Sequence, residues 1–257
     1  MGGLEVNRAA EPDGTSRTRE GLVRACDLVK LFRLKSEARK LLQPEMTPQE
    51  YFECLMLHNH LAEARRLLAH ALPPMRSIWW ATLCLYHSLR FMPFATEQEE
   101  SAFAAVLDWL RRPMEPERRA AEQAGWRAKP STAAGILALS VYLSSGSMSR
   151  PGLPVVRPAA HLCGRLAGVV VYLASVRYDP AQYRHHLRQY LQIGVDVARG
   201  VNPPPVSAVF ESPIEVPAAM VRGGSATLPE PWSELFRMGV VALDGVSAFE
   251  PLEEANG

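Results

Sequence analysis

Along most of the chain the apolar residues recur at helical spacing, not at the alternation of a half-buried strand. Between Gly21 and Leu42, the residues Leu31, Leu34, Ala38 and Leu41 fall on one face of a helix, which Pro44 stops. Thr47-Pro48-Gln49-Glu50 reads as a capping box with proline in the first turn. The threonine hydroxyl accepts from the Glu50 N–H and the carboxylate reaches back, so a second helix runs to about His58. A third begins near His60 with Leu61, Ala64, Leu68, Ala71 and Leu72 on one face, and Pro73-Pro74 breaks it. A fourth covers about Met75 to Phe91. Thr96 to Glu99 forms a second capping box, before a helix faced by Phe103, Val106, Leu107 and Leu110.

Glu115 to Arg127 predicts a charged helix on the surface. Ser131 is placed to cap a helix ending near Leu143. Residues Ile136 to Leu143 are apolar nearly all round, which predicts a central position. Pro151, Pro154 and Pro158 mark a loop, and Ala159 to Val176 is again apolar enough to be interior. Asp179-Pro180 opens a last helix with Tyr183, Leu187, Tyr190, Leu191, Gly194 and Ala198 on one face, closed by Gly200 and Pro203-Pro204-Pro205. The expected architecture is all-α: a compact, repeat-like bundle of about eight helices over residues 21–200, arranged as helical hairpins, after a flexible leader at 1–20.

The hairpin expectation comes from an internal duplication. Glu37-Ala38-Arg39-Lys40-Leu41-Leu42 matches Glu63-Ala64-Arg65-Arg66-Leu67-Leu68, and Pro44-x-Met46 matches Pro73-x-Met75. Each copy reads as helix, proline break, helix, so residues 31–58 and 61–87 are expected to fold as two equivalent hairpins. Two copies are too few for a free-standing solenoid, so the later helices must complete the core.

Composition changes the picture mainly at the C-terminal end. The 257 residues are 47% hydrophobic with a formal net charge of +1, which argues against a strongly basic nucleic-acid binder. Residues 201–257 hold eight acidic residues against Arg222 and Arg237, whereas residues 1–200 hold 26 basic and 19 acidic residues. The same segment carries eight prolines and reads as a Pro-rich acidic extension. Two apolar stretches in it, Val206 to Val216 around Phe210 and Trp232 to Val241 around Trp232 and Phe236, are expected to dock on this chain or on a neighbouring copy. The longest apolar run, Leu166 to Val176, is eleven residues, against the roughly 20 that a spanning helix needs. The four cysteines form no CxxC pair and read as reduced thiols.

The segments EMTPQEYFECL and EARRLLAHALPPMRSIWWATLC, within residues 41–85, resemble a bacterial family of unknown function whose members share a Thr-Pro-x-x-Tyr/Phe opening and an LAHALP helix end followed by paired tryptophans. QIGVDVARGVN at 192–202 resembles the way that domain closes, so the resemblance covers about residues 22–203. It implies a cytoplasmic helical domain of a bacterial multi-component system and supplies no activity, substrate or site.

The candidate chemistry is sparse. Cys54 and His58 lie at i and i+4 with His60 two residues on, and Cys84 and His87 lie at i and i+3 in the second copy. Such pairs can ligate zinc, though no fourth ligand is specified. Trp79 and Trp80 point about 100° apart on a helix. One is expected in the core and the other, with Tyr86 or His87, in a groove or interface, where tryptophan is enriched. Arg184, His185, His186 and Arg188 form a basic face suited to phosphate or an acidic partner. No nucleophile elbow, phosphate loop or HExxH motif is present.

The expectation that follows is a non-enzymatic protein–protein interaction or adaptor module, cytoplasmic, holding a partner segment in a helical groove. Its interface candidates are Trp79, Trp80, Tyr86, His87, Phe210, Trp232 and Phe236. One alternative is a metal-binding protein or enzyme using Cys54, His58, His60, Cys84 and His87; another is an assembly subunit that docks on its own copies through the tail. No cofactor, nucleic acid or membrane insertion is expected.

Overall fold

A computed structural model describes residues 23–150 and 152–205. The leader at 1–20 and the extension beyond Pro205, with Phe210, Trp232 and Phe236, lie outside the described residues. Among the described residues there are ten α-helices, two 3-10 turns and no strand. The helices are α1 (Ala25–Leu28), α2 (Ser36–Lys40), α3 (Pro48–Leu57), α4 (Leu61–Ala71), α5 (Pro74–Leu89), α6 (Glu97–Arg111), α7 (Glu115–Arg127), α8 (Ala133–Tyr142), α9 (His161–Val176) and α10 (Tyr183–Arg199). No helix among them is long and apolar enough to cross a membrane.

Local chemistry explains most boundaries. Thr47 closes the expected capping box: its hydroxyl accepts from the Glu50 N–H at 3.2 Å, and its own N–H donates to the Glu50 carboxylate at 2.8 Å. Thr96 caps α6 by accepting from the Glu99 N–H at 3.3 Å. The cap of α8 is Thr132, which accepts from the Gly135 N–H at 3.0 Å, one residue past the expected Ser131. Gly200, at φ 75°, ends α10 in the left-handed conformation that glycine adopts without strain.

The core is built around α9, which packs on α4, α5, α8 and α10. On one flank α6, α7 and α8 pack on one another; on the other, α3 pairs with α4. All ten residues of α8 are buried, so the interior position expected from its apolar circumference is what the fold shows. Glycine allows the closest crossing. A Cβ on Gly164 of α9 would lie 2.2 Å from the Ala69 carbonyl oxygen of α4.

Two expectations about the first third of the chain are corrected. The single amphipathic helix expected over 21–42 is interrupted after a 3-10 turn at Val29–Leu31, where Phe32 turns extended. Leu31 is therefore exposed, while Leu34 and Ala38 are buried and Phe32 stacks on His70, with ring centroids 5.6 Å apart. Tertiary contacts to these side chains outweigh the continuous helical period.

The duplicated units also do not fold as two hairpins. α4 and α5 do not run side by side; each packs on α9 and α10. The extended Leu72 and the following Pro73, both with ψ near 140–150°, turn α5 away from α4. The antiparallel pair is instead α3 with α4, across the boundary between the copies. Asn59 makes that turn at φ 58°, with the His60 N–H bonded to the Leu55 carbonyl and the Asn59 N–H to that of Met56. This is the Schellman pattern that ends a helix on a left-handed residue.

Candidate functional site

The turn at the end of α3 accounts for the first histidine–cysteine group. His58 Nδ1 lies 2.9 Å from the Cys54 carbonyl oxygen and 3.8 Å from its Sγ, so the imidazole caps its own helix. His60 opens α4. In the second group Cys84 is buried and burial pushes its thiol well above the usual range, leaving it an inert thiol. Among the described residues no three or more His, Cys, Asp or Glu side chains converge as metal ligands. The structure therefore does not gather Cys54, His58, His60, Cys84 and His87 into one cluster.

Trp79 and Trp80 are both fully buried, which corrects the expectation that one of them lies in a groove. Both faces of α5 are covered. The Trp80 Nε1–H donates to the Tyr190 carbonyl of α10 at 2.6 Å, and the Trp79 Nε1–H donates to the Asn202 carbonyl at 3.2 Å. Satisfying the indole N–H groups on backbone carbonyls is what lets both rings enter the core.

His87 leads from this core to the surface. Its Nδ1 lies 3.1 Å from the hydroxyl of buried Tyr190, whose pKa burial raises. Its ring meets Phe91 edge-on at 5.5 Å. Phe91 in turn stacks on Tyr178 at 4.4 Å, and Tyr178 lies 4.3 Å from the ring of His186. Buried His186 is held by the Ser175 carbonyl, 3.1 Å from its Nδ1, so that nitrogen carries the hydrogen. The result is a continuous row of rings, Tyr190–His87–Phe91–Tyr178–His186, joining α5, the end of α9 and α10.

The outer end of this row is open. Phe91 is 57% and Met92 46% exposed, and Tyr178 is half-buried. Arg177 braces the loop beneath: its Nε–H donates to the Met92 carbonyl at 3.2 Å and its guanidinium NH2 to that of Pro93 at 2.8 Å. Exposed arginines follow on the same elements, with Arg90 next to Phe91, and with Arg184 and Arg188 on either side of exposed His185 along α10. The His185 and His186 rings are 5.9 Å apart, and Arg188 donates to the Asn59 side-chain oxygen at 3.2 Å. Half-buried Tyr86, one turn before Arg90, has its hydroxyl pushed up to about 12 by burial, against the opposing pull of the Arg90 charge.

The ledge is apolar with Arg90 beside it, and among the described residues its side chains do not pair an activated nucleophile with a base. Of the interface candidates within the described residues, His87 supports the ledge from below, Tyr86 lies half-buried one turn from Arg90, and the two tryptophans form its foundation in the core. Sequence reasoning overlooked Phe91, Met92 and Tyr178. The signal for Phe91 and Met92 was the Phe91-Met92-Pro93-Phe94 run, which stays apolar after the helix has ended.

A second polar assembly was also overlooked. Arg118 of the expected surface helix is buried, pairs with both Glu115 carboxylate oxygens at 2.7 Å and bonds the Tyr142 and Ser147 carbonyls. Arg119 bonds the Ser147 and Ser149 carbonyls, and both guanidiniums lie over the Tyr142 ring. With every donor directed at this chain's own carbonyls and carboxylates, the assembly fastens the loop after α8.

Comparison with known proteins matches residues 51–198 to a single family profile, described as "Family of unknown function (DUF6931)". The match covers more than half of the chain, includes every ledge residue and is narrower than the span of the resemblance; the chain belongs to this family. No curated protein and no solved structure matches it.

Proposed function

We propose that the helical body is a non-enzymatic interaction module that holds a partner segment on the ledge of Phe91, Met92 and Tyr178. The observation that carries this reading is the stacked Phe91–Tyr178 pair, half-open to water yet anchored through His87 and His186 to buried hydrogen-bonded groups. A rigid aromatic pair loses little conformational entropy on binding, and aromatic residues and arginine dominate interface hot spots. Arg90 beside the ledge and the exposed arginines of α10 favour a partner segment with acidic residues beside its apolar anchors. Such a module serves as an adaptor within a multi-component assembly in the cytoplasm.

The test is affinity capture from the native organism. The wild-type chain and Trp126→Glu, which changes an exposed residue at 58% exposure on α7, are expected to retain the same protein, and Phe91→Glu to lose it while keeping its melting temperature. An identical set of proteins retained by Phe91→Glu would overturn the proposal.

A further inference from the structure

We infer that the segment Trp232–Val241 of this same chain is a resident occupant of the Phe91–Tyr178 ledge. The inference rests on the ledge being a binding surface and adds what is seated on it.

Charge gives the first argument. Residues 201–257 hold eight acidic residues against two arginines, while residues 1–200 hold 26 basic against 19 acidic. Of that basic excess, exposed Arg90 is the chain neighbour of Phe91, and exposed Arg184 and Arg188 stand on α10, the helix that carries His186. Within the proposed segment Trp232, Leu235 and Phe236 recur at i, i+3 and i+4, with Glu230 and Glu234 beside them. That spacing suits a peptide laying one apolar face against a groove while its acids meet the cations.

The path of the chain gives the second argument. The Asn202 carbonyl accepts from Trp79, and Pro205 is buried, so the described chain leaves α10 beside the first half of α5. Phe91 lies twelve positions after Trp79, about 18 Å along a helix. The 26 residues between Pro205 and Trp232 span up to roughly 90 Å when extended, so the connector sets no limit. Tethering holds a segment at an effective concentration on the order of millimolar, so modest affinity suffices to keep it seated. Charge alone would not: at physiological salt it is screened over about 8 Å, which leaves Trp232 and Phe236 as the anchors.

The test uses the purified full chain with a benzophenone amino acid in place of Met92, and separately in place of Trp126 as the control position. Ordinary and nitrogen-15-labelled chains are mixed, irradiated, digested and sequenced by mass spectrometry. Position 92 is expected to give adducts to residues 230–241 within one isotopic species, several-fold above position 126. Trp232→Ala with Phe236→Ala is expected to abolish them, with a helical circular dichroism spectrum equal to that of the wild type. Mixed-isotope adducts would place a second copy's tail on the ledge and overturn the inference. So would adducts to other residues, equal yields at the two positions, or no adduct. The capture experiment with Phe91→Glu is read independently. No adduct at position 92 while Phe91→Glu abolishes capture removes only the tail from the ledge; no adduct while Phe91→Glu leaves capture intact removes the ledge itself.

Discussion

Gly164 approaches the Ala69 carbonyl so closely that only a hydrogen fits, because a Cβ there would lie 2.2 Å from the oxygen. Since that oxygen belongs to helix backbone, Gly164→Ala must move α4 from α9. Overpacking of this kind costs about 1–3 kcal/mol, and more when backbone has to shift, so the variant's urea midpoint is expected to fall clearly. An unchanged midpoint would refute the close crossing. Arg118 makes the opposite case, a large charged group whose removal leaves a buried acceptor unmet. Arg118→Met orphans the Tyr142 carbonyl, at about 1–3 kcal/mol for a buried acceptor left unsatisfied, while Arg119 still reaches the Ser147 carbonyl. It should also release the loop after α8, read as faster hydrogen exchange of the Met148 and Val156 amides, which bond the Val156 carbonyl and the Ser147 hydroxyl. His70 titrates. Burial, followed by the charges of His161 and Arg165, pushes its imidazole down to about 4 from the ordinary 6.5. The unfolded chain therefore takes up the proton first. The contribution of neutral His70 is full above pH 6.5 and is lost as the pH falls toward 4. His70→Phe keeps a ring against Phe32 and should flatten the stability profile between pH 6.5 and 4, measured by denaturant titration across that range. A profile as steep as wild type would assign the acid sensitivity elsewhere.

At the scale of elements, what was legible in the sequence was what short-range chemistry decides. The Thr47 capping box, the Thr96 cap, the proline breaks and Gly200 all act within a few residues, and the helices they bound occur as expected. The central positions of α8 and α9 were also legible, because a helix apolar on every side has nowhere else to go. Thr47→Ala is expected to cost about 1 kcal/mol, the usual worth of such a cap, and a denaturation curve equal to wild type would deny it that role. Pairing between elements was not legible. Repeated sequence made residues 61–87 look like a hairpin, yet the extended Leu72 and Pro73 send α5 toward α9 and α10, and the Schellman turn at Asn59 pairs α3 with α4 instead. Helix α2 failed the periodicity reading because burial of Leu34 and stacking of Phe32 on His70 are long-range events. Arg118 was misread for the same reason: the charge pattern of α7 says surface, and only the returning loop at Ser147 and Ser149 shows what its guanidinium reaches.

For the whole molecule, the ledge arises where three elements far apart in sequence end together. The end of α5 supplies Phe91 and Met92, the end of α9 supplies Tyr178 just past its last turn, and the start of α10 supplies His186. Sequence reasoning found the basic face of α10 and the aromatic run of α5 separately. One of Trp79 and Trp80 was expected in a groove because the sequence does not show that α10 and the Asn202 segment cover both. The central claim is that this ledge, and no other part of the body, carries binding. The most direct measurement is the dissociation constant of the captured partner for wild type, Phe91→Ala, Tyr178→Ala and Trp126→Ala, with circular dichroism confirming the fold of each. A hot-spot truncation costs about 2 kcal/mol or more, so Phe91→Ala and Tyr178→Ala are expected to weaken binding by roughly thirty-fold, and Trp126→Ala by less than about two-fold. Unchanged affinity in the first two variants, or an equal loss in the third, would contradict the account.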